Sequence, residues 1–144
     1  MSLANPYFVG LQNVGSYQVA GIPFVTGAVN APVSTNTPTE ITFPSVTQRV
    51  LIENIGSYDV KVGFSSNGVK DGKYFLVHSN AGGSAPSFHV VDLRVKVSSI
   101  FILSNDSTHT SSVCVAAELT NIDTHLLHNS GPSGSNWSGS VGVG

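Results

Sequence analysis

Hydrophobic and polar residues alternate with a period of two along most of the chain. In YDVKVGF, residues 58–64, the aromatic and valine side chains fall on one face and Asp59, Lys61 and Gly63 on the other. In VDLRVKV, residues 91–97, valine and leucine alternate with charged side chains in the same way. Because successive side chains of a strand point to opposite faces, both segments are predicted to be strands with one buried face.

The same pattern predicts about eight strands, and no segment has a convincing helical period. IFIL, residues 100–103, has no polar alternation and predicts a strand buried on both faces. Asn67-Gly68 indicates the tight turn of a hairpin. The predicted strands lie within residues 17–25, 40–43, 48–55, 58–64, 73–79, 88–97, 100–103 and 112–122.

Short strands separated by Gly, Pro, Ser and Asn predict an all-β fold, a two-sheet antiparallel β-sandwich that forms a single jelly roll with extended N- and C-terminal arms. The pattern does not encode which strands pair, so an immunoglobulin-like strand order stays open. The predicted body spans residues 13–123. Residues 1–12 are predicted to be an arm, and the Gly- and Ser-rich residues 124–144 a flexible tail.

Apolar side chains in the two arms are candidates for contact with a neighbouring subunit. In the tail they would have nothing to bury in an isolated chain, because the predicted body ends before them. We therefore predict an interface that includes Tyr7, Phe8, Leu126, Leu127 and Trp137.

The composition favours a protein that works in an assembly. Charged residues make up only 10% of the chain, against about a quarter in typical globular proteins. A net charge of −2 favours association over free solubility. With six Lys and Arg residues in all, the chain lacks the basic clusters that a nucleic-acid surface needs, and Arg94 and Lys96 beside Asp92 predict a mixed-charge solvent face.

The sequence contains no motif typical of catalysis. Cys114 lies in an alternating β run and is predicted to be a core side chain, and no Ser occupies a nucleophile elbow. The eight acidic residues are scattered, so we predict no enzyme activity, no catalytic residue and no cofactor. Asp123, His125 and His128 are the closest approach to a metal site, but the two histidines are better explained as solvent-facing side chains, and we predict no metal.

Residues 63–70, GFSSNGVK, come close to a phosphate-binding loop. Lys70 is one position late, Asp71 stands where a metal-binding hydroxyl is expected, and a strand is predicted to follow instead of a helix. A phosphate-binding loop is therefore excluded, and Gly63 and Gly68 are assigned to a bulge and a hairpin turn. No run approaches the ~18 apolar residues of a membrane span, and no signal peptide opens the chain.

Three segments together resemble a known class of proteins. RVLIENIGSYDVKVGFSSNGVKDGKYFLV, LRVKVSSIFIL and VCVAAELTNI are similar to the single jelly-roll structural proteins of tailless or large icosahedral double-stranded DNA viruses, including capsid vertex (penton) subunits, and to β-sandwich decoration proteins of phage heads. The resemblance covers about residues 39–122. It implies a non-enzymatic capsid protein of the virion whose partners are copies of itself and other capsid proteins, without direct contact to nucleic acid.

A carbohydrate- or receptor-binding β-sandwich is the alternative. Such modules present aromatic side chains in loops, and this chain has only four tyrosines and one tryptophan to share between core and site. The alternative predicts a monomer whose affinity for a glycan falls when an exposed Tyr or Trp137 is replaced.

Overall fold

The computed structural model describes residues 21–79, 89–127 and 136–144. This part of the chain forms eight strands and two short helices, which agrees with the predicted all-β fold. In chain order the elements are β1 (Ile22–Ala31), β2 (Thr39–Thr42), β3 (Thr47–Asn54), β4 (Val60–Gly63), α1 (Ser66–Lys70), β5 (Phe75–Val77), β6 (Val90–Leu93), β7 (Ser99–Ser104), β8 (Ser111–Leu119) and α2 (Thr124–Leu127).

The strands form two antiparallel sheets of four. Sheet I has the order β1-β8-β3-β6 and sheet II the order β2-β7-β4-β5. Every ladder within them is antiparallel. The pairing is nested: β1 pairs with β8, β2 with β7, β3 with β6, and β4 with β5.

The core lies between the two sheets and is built by the alternation seen in the sequence. In β8 every second residue from Ser111 to Leu119 is buried, and the residues between are half-buried. Phe24 packs edge-on against Phe43 with ring centroids 5.2 Å apart, which fills the core near β1. The fully buried strand side chains that face this core include Val50, Ile52, Val60, Val62, Ile100, Ile102 and Val113.

The connection between β4 and β5 differs from the predicted hairpin turn. The two strands do pair antiparallel, but Asn67 and Gly68 lie inside the five-residue helix α1. Ser65 caps this helix, since its side chain accepts a hydrogen bond from the Gly68 N–H at 2.9 Å. The predicted strand does follow Lys70, since β5 begins at Phe75. The prediction of a hairpin turn at Asn67-Gly68 is wrong, because these residues are helical.

Gly63 allows close packing between β4 and α1, and it does not form the predicted bulge. A Cβ atom at this position would lie 3.0 Å from the Val69 Cβ and 3.1 Å from the Lys73 carbonyl oxygen. The register of β4 with β7 continues to Gly63 without a shift. The absence of a side chain thus lets the helix lie directly on the strand.

Cys114 was predicted in the core, and this prediction is wrong. Its neighbours Val113 and Val115 point inward and are buried, so Cys114 points to the outer face of sheet I, where it is half-buried. In a run of small apolar residues, the sequence alone does not show whether the odd-numbered or the even-numbered side chains face the core.

Candidate functional site

The C-terminal segment, residues 136–144, packs on one end of the sandwich through the side chain of Asn136. The Asn136 Oδ1 accepts hydrogen bonds from the Ser98 N–H at 2.7 Å, the Ser98 hydroxyl at 3.1 Å and the Ser99 N–H at 3.2 Å. Its Nδ2 donates to the carbonyl oxygens of Phe64 and Ser99, each at 2.8 Å. One buried amide thus satisfies backbone groups where β4 ends and β7 begins, because it supplies donors and an acceptor as a peptide group would.

Trp137 continues this attachment. Its ring packs against the main core and against a second small cluster, and its Nε1 donates a hydrogen bond to the Lys96 carbonyl oxygen. The Lys96 ammonium lies 5.9 Å from the ring centroid, within the range of a cation–π contact. Asn136 and Trp137 both have positive φ values, 44° and 65°, a conformation that is uncommon for residues other than glycine. The surrounding contacts therefore hold the segment in one defined path.

Helix α1 receives the end of the same segment. The Ser65 hydroxyl donates to the Val143 carbonyl oxygen at 2.9 Å. A Cβ atom on Gly68 would lie only 1.9 Å from that oxygen. Gly68 is thus required by the approach of the C-terminal segment, and a tight hairpin turn is not the reason for it.

The predicted interface residues occupy different environments. Leu127 is fully buried with Val46 and Ile122, and Trp137 packs on the body of its own chain. Leu126 is 36% exposed. The premise that these side chains have nothing to bury in an isolated chain is therefore wrong for Leu127 and Trp137, while their role at an interface stays a prediction. Tyr7 and Phe8 lie outside the described residues, as do residues 128–135 of the predicted tail.

A cleft of about 360 Å³ lies between the C-terminal segment, α1 and the outer face of sheet II. The strand register places Glu40 opposite Phe101 and Thr42 opposite Ser99, so a carboxylate, an aromatic ring and hydroxyls share this face. Among the residues that line the cleft are Glu40, Thr42, Ser66, Asn67, Phe101 and Ser138. Sequence analysis missed this cleft, because it combines side chains from five separate segments.

The outer face of sheet I carries an exposed apolar patch. Val25 is 78% exposed. It lies opposite Ala116 in β8, which in turn lies opposite Leu51 in β3. These three residues line one shallow cleft together with Pro23. The patch thus crosses three adjacent strands.

Charged side chains of both signs border this patch. The Arg49 guanidinium forms a bidentate pair with Asp92, at 2.8 Å and 2.6 Å, and lies 3.7 Å from Glu118. The hydrogen bond from Arg49 lowers the pKa of the Asp92 carboxyl below its ordinary value. Arg94 and Lys96 are exposed on the same side as Asp92, which confirms the predicted mixed-charge face.

Two aspartate–histidine pairs lie in the loops beside β4 and β8. Asp59 contacts the His78 ring nitrogen at 3.2 Å, and Asp106 contacts that of His109 at 3.1 Å. The His109 ring stacks on Tyr58 with centroids 4.6 Å apart. Backbone and hydroxyl hydrogen bonds from Thr108, followed by those from His109, hold the pKa of Asp106 far below its ordinary value. These contacts order the loop between β7 and β8.

The described residues contain no group of three or more His, Cys, Asp and Glu side chains placed to hold a metal ion. Asp123 and His125 form a pair at 2.8 Å, and His128 lies outside the described part of the chain. Within the described residues, no helix is both long and apolar enough to cross a membrane.

Comparison of the chain with models of protein families, with curated proteins and with solved structures gives no match. The function is therefore argued from the strand arrangement and from the surfaces described above.

Proposed function

We propose that this chain is a non-enzymatic structural subunit of a virus particle, either at a capsid vertex (penton) or as a minor capsid or decoration subunit. The observation that carries the proposal is the nested strand order of the two sheets. A jelly roll wraps one long antiparallel ribbon into two sheets, so that the first strand pairs with the eighth, the second with the seventh, and so on inward. The observed pairing supports this topology, which many capsid subunits use.

The surface supports an assembly role, which a fold alone does not specify. Charged residues form 10% of the chain, and large apolar side chains such as Ile22, Val25 and Ile55 are exposed. A free monomer with so little charge tends to associate, whereas a subunit among neighbours has that surface covered.

The terminal arms have a more limited role in this proposal than the sequence suggests. The C-terminal segment is held on its own body by Asn136 and Trp137. Of the apolar tail residues in the described chain, Leu126 and Val141 are exposed. Leu126, together with residues 1–12, is the part of the arms that we propose to contact neighbouring subunits.

The mass of the intact protein in solution tests the proposal. Light scattering behind a sizing column is expected to show a closed oligomer such as a pentamer, because capsid vertices are built from closed symmetric contacts. Electron micrographs of the same fraction are expected to show rings of uniform size. A strict monomer at high concentration contradicts a ring-forming vertex subunit.

The cleft on sheet II favours binding of a neutral saccharide as a second candidate function. The half-buried Phe101 ring offers an apolar face, and Glu40 and the neighbouring hydroxyl and amide groups offer hydrogen-bonding partners. A cleft of about 360 Å³ is in the size range of small-ligand sites.

Saccharide titrations separate this candidate from the first. Trp137 is the only tryptophan and adjoins the cleft-lining Asn136 and Ser138, so its fluorescence can report occupancy. Binding of neutral mono- and disaccharides that is weakened by Glu40→Gln, but not by the control Glu53→Gln on sheet I, supports the second candidate. No fluorescence or calorimetric response to any member of the panel contradicts it.

A further inference from the structure

We infer that the outer face of sheet I is a docking surface for a second copy of this chain, centred on Val25, Ala116 and Leu51. The inference rests on the proposed assembly role and adds one contact to it. A face that meets itself joins two subunits, or two rings of subunits, and does not by itself close a ring of five. The partner is a second copy because the chemistry of this face is complementary to itself.

The apolar part of the surface is continuous and raised at one side. Val25 is 78% exposed on β1, and Ala116 and Leu51 are half-buried beside it. The central strand β8 presents Ser112, Cys114 and Ala116 outward. Since these side chains are small, a shallow depression lies between Val25 and Leu51. A projecting valine beside a depression suits mutual insertion of two identical faces.

The charged part of the surface contains positively and negatively charged side chains next to each other. Arg49 lies between Asp92 and Glu118, and Arg94 and Lys96 line a neighbouring cleft that also contains Arg49 and Glu118. A face of one sign would repel its copy, but a mixed face can meet itself about a twofold axis with opposite charges in contact. The three basic and two acidic side chains leave this face close to neutral, so it lacks the concentrated positive charge that binding to nucleic acid or an anionic membrane requires.

The geometry of β1 favours packing on the face over addition of a strand to its edge. Within the described sheet, β1 is an edge strand. Its ladder with β8 is interrupted between Thr26 and Val29, and Pro23 lies near its start. Bulges and prolines protect an edge against pairing with another chain. The contact with a second copy therefore uses the side chains of the outer face.

A charge placed in the patch tests the inference. Val25→Asp is expected to weaken self-association about tenfold or more, because it puts a carboxylate in the centre of the contact. The matched control is Val141→Asp, the same change at a fully exposed valine of the C-terminal segment. Val25 is exposed, so both variants are expected to fold, and their melting curves verify this.

The outcomes separate this inference from the proposed function. If the wild type is an oligomer, a smaller mass for Val25→Asp but not for Val141→Asp supports the docking surface. A wild-type oligomer unchanged by Val25→Asp overturns the docking surface and leaves the assembly role intact. A wild-type monomer at all concentrations overturns both.

Cys114 provides an independent reporter of coverage of this face, because no cysteine has to be introduced. It is the single cysteine of the chain and lies half-buried on this face. Its reaction with a maleimide is expected to be severalfold slower in the concentrated oligomer than after dilution, and Val25→Asp is expected to remove the difference. Equal rates at all concentrations contradict coverage of this face by a second copy.

Discussion

The side-chain amide of Asn136 hydrogen-bonds to the backbone as a peptide group would. The residue is 6% exposed and makes five hydrogen bonds to backbone and hydroxyl groups of Phe64, Ser98 and Ser99. The same residue begins the sequence NWS, a glycosylation acceptor pattern. Its buried amide is engaged on both sides, so a glycan at this position is incompatible with the fold.

Replacement of Asn136 is therefore expected to destabilise the protein. Asn136→Ala leaves the N–H groups of Ser98 and Ser99 and the Phe64 carbonyl without their partner, which costs about 2–4 kcal/mol in the free energy of unfolding. Urea denaturation measures the difference. The control is Asn67→Ala at an exposed position on α1, which is expected to change stability much less. Equal midpoints for Asn136→Ala and the wild type contradict the anchoring role.

Asp106 is expected to make stability depend on acid pH. Its folded pKa is held below the unfolded value of about 4, so its contribution is complete above that pH and disappears as the pH falls through the lower folded value. Asp106→Asn removes the charge and keeps one oxygen acceptor. We expect the variant to be less stable near neutral pH and the difference to shrink below about pH 4. Urea midpoints measured across this range check the sign, and a difference that grows on acidification contradicts it.

Helix α1 and the C-terminal segment are coupled elements. Alanine is normally better than glycine in a helix by about 1 kcal/mol, yet a Cβ on Gly68 would meet the Val143 carbonyl oxygen at 1.9 Å. Gly68→Ala is thus expected to destabilise the full chain by about 1–3 kcal/mol.

A double-mutant cycle isolates this coupling. In a chain that ends at residue 135, the clash with Val143 is absent, and Gly68→Ala is expected to be much less destabilising or stabilising. Chemical denaturation of the four proteins gives the coupling energy. The same penalty in both backgrounds contradicts a contact between α1 and the segment.

Whether a segment forms a strand or a helix was predictable from the sequence only where a local pattern of residues determines it. The period of two in residues 58–64 and 91–97 predicts strands, and the structure has β4 and β6 there, although β6 ends at Leu93 and residues 94–97 are not part of a strand. The prediction of a hairpin turn at Asn67-Gly68 failed because residues that suit a type I′ turn also fit a capped helical turn when Ser65 precedes them. The Ser65 cap is local, but the contact of this turn with the C-terminal segment joins residues 78 positions apart and could not be found in any local window.

At the scale of the whole molecule, the end of the chain belongs to the folded body. A chain that lacks residues 136–144 loses the burial of Trp137 and the Asn136 amide, and we expect a loss of about 3–5 kcal/mol in stability. Thermal melting of the full and shortened chains measures it. An unchanged melting temperature contradicts a role of these residues in the stability of the fold.

Sheet order and surface sites were beyond prediction from this sequence for a common physical reason. Strand pairing depends on contacts such as that of β1 with β8, which join residues about 90 positions apart. The docking surface likewise joins Val25, Leu51 and Ala116 from three strands. The alternation predicts which residues can be buried, but only the register shows which of them become neighbours.

The pairing of the first strand with the last has a consequence for synthesis on the ribosome. Strands β1 and β3 both need β8 as their partner in sheet I, so that sheet cannot close until residues 111–119 have left the exit tunnel. At ribosomal rates of about 5–20 residues per second, the edges of the early strands wait several seconds without their partner. During this time the unpaired edges can pair with those of a neighbouring nascent chain, so the long sequence separation of β1 and β8 gives this fold a route to aggregation during synthesis.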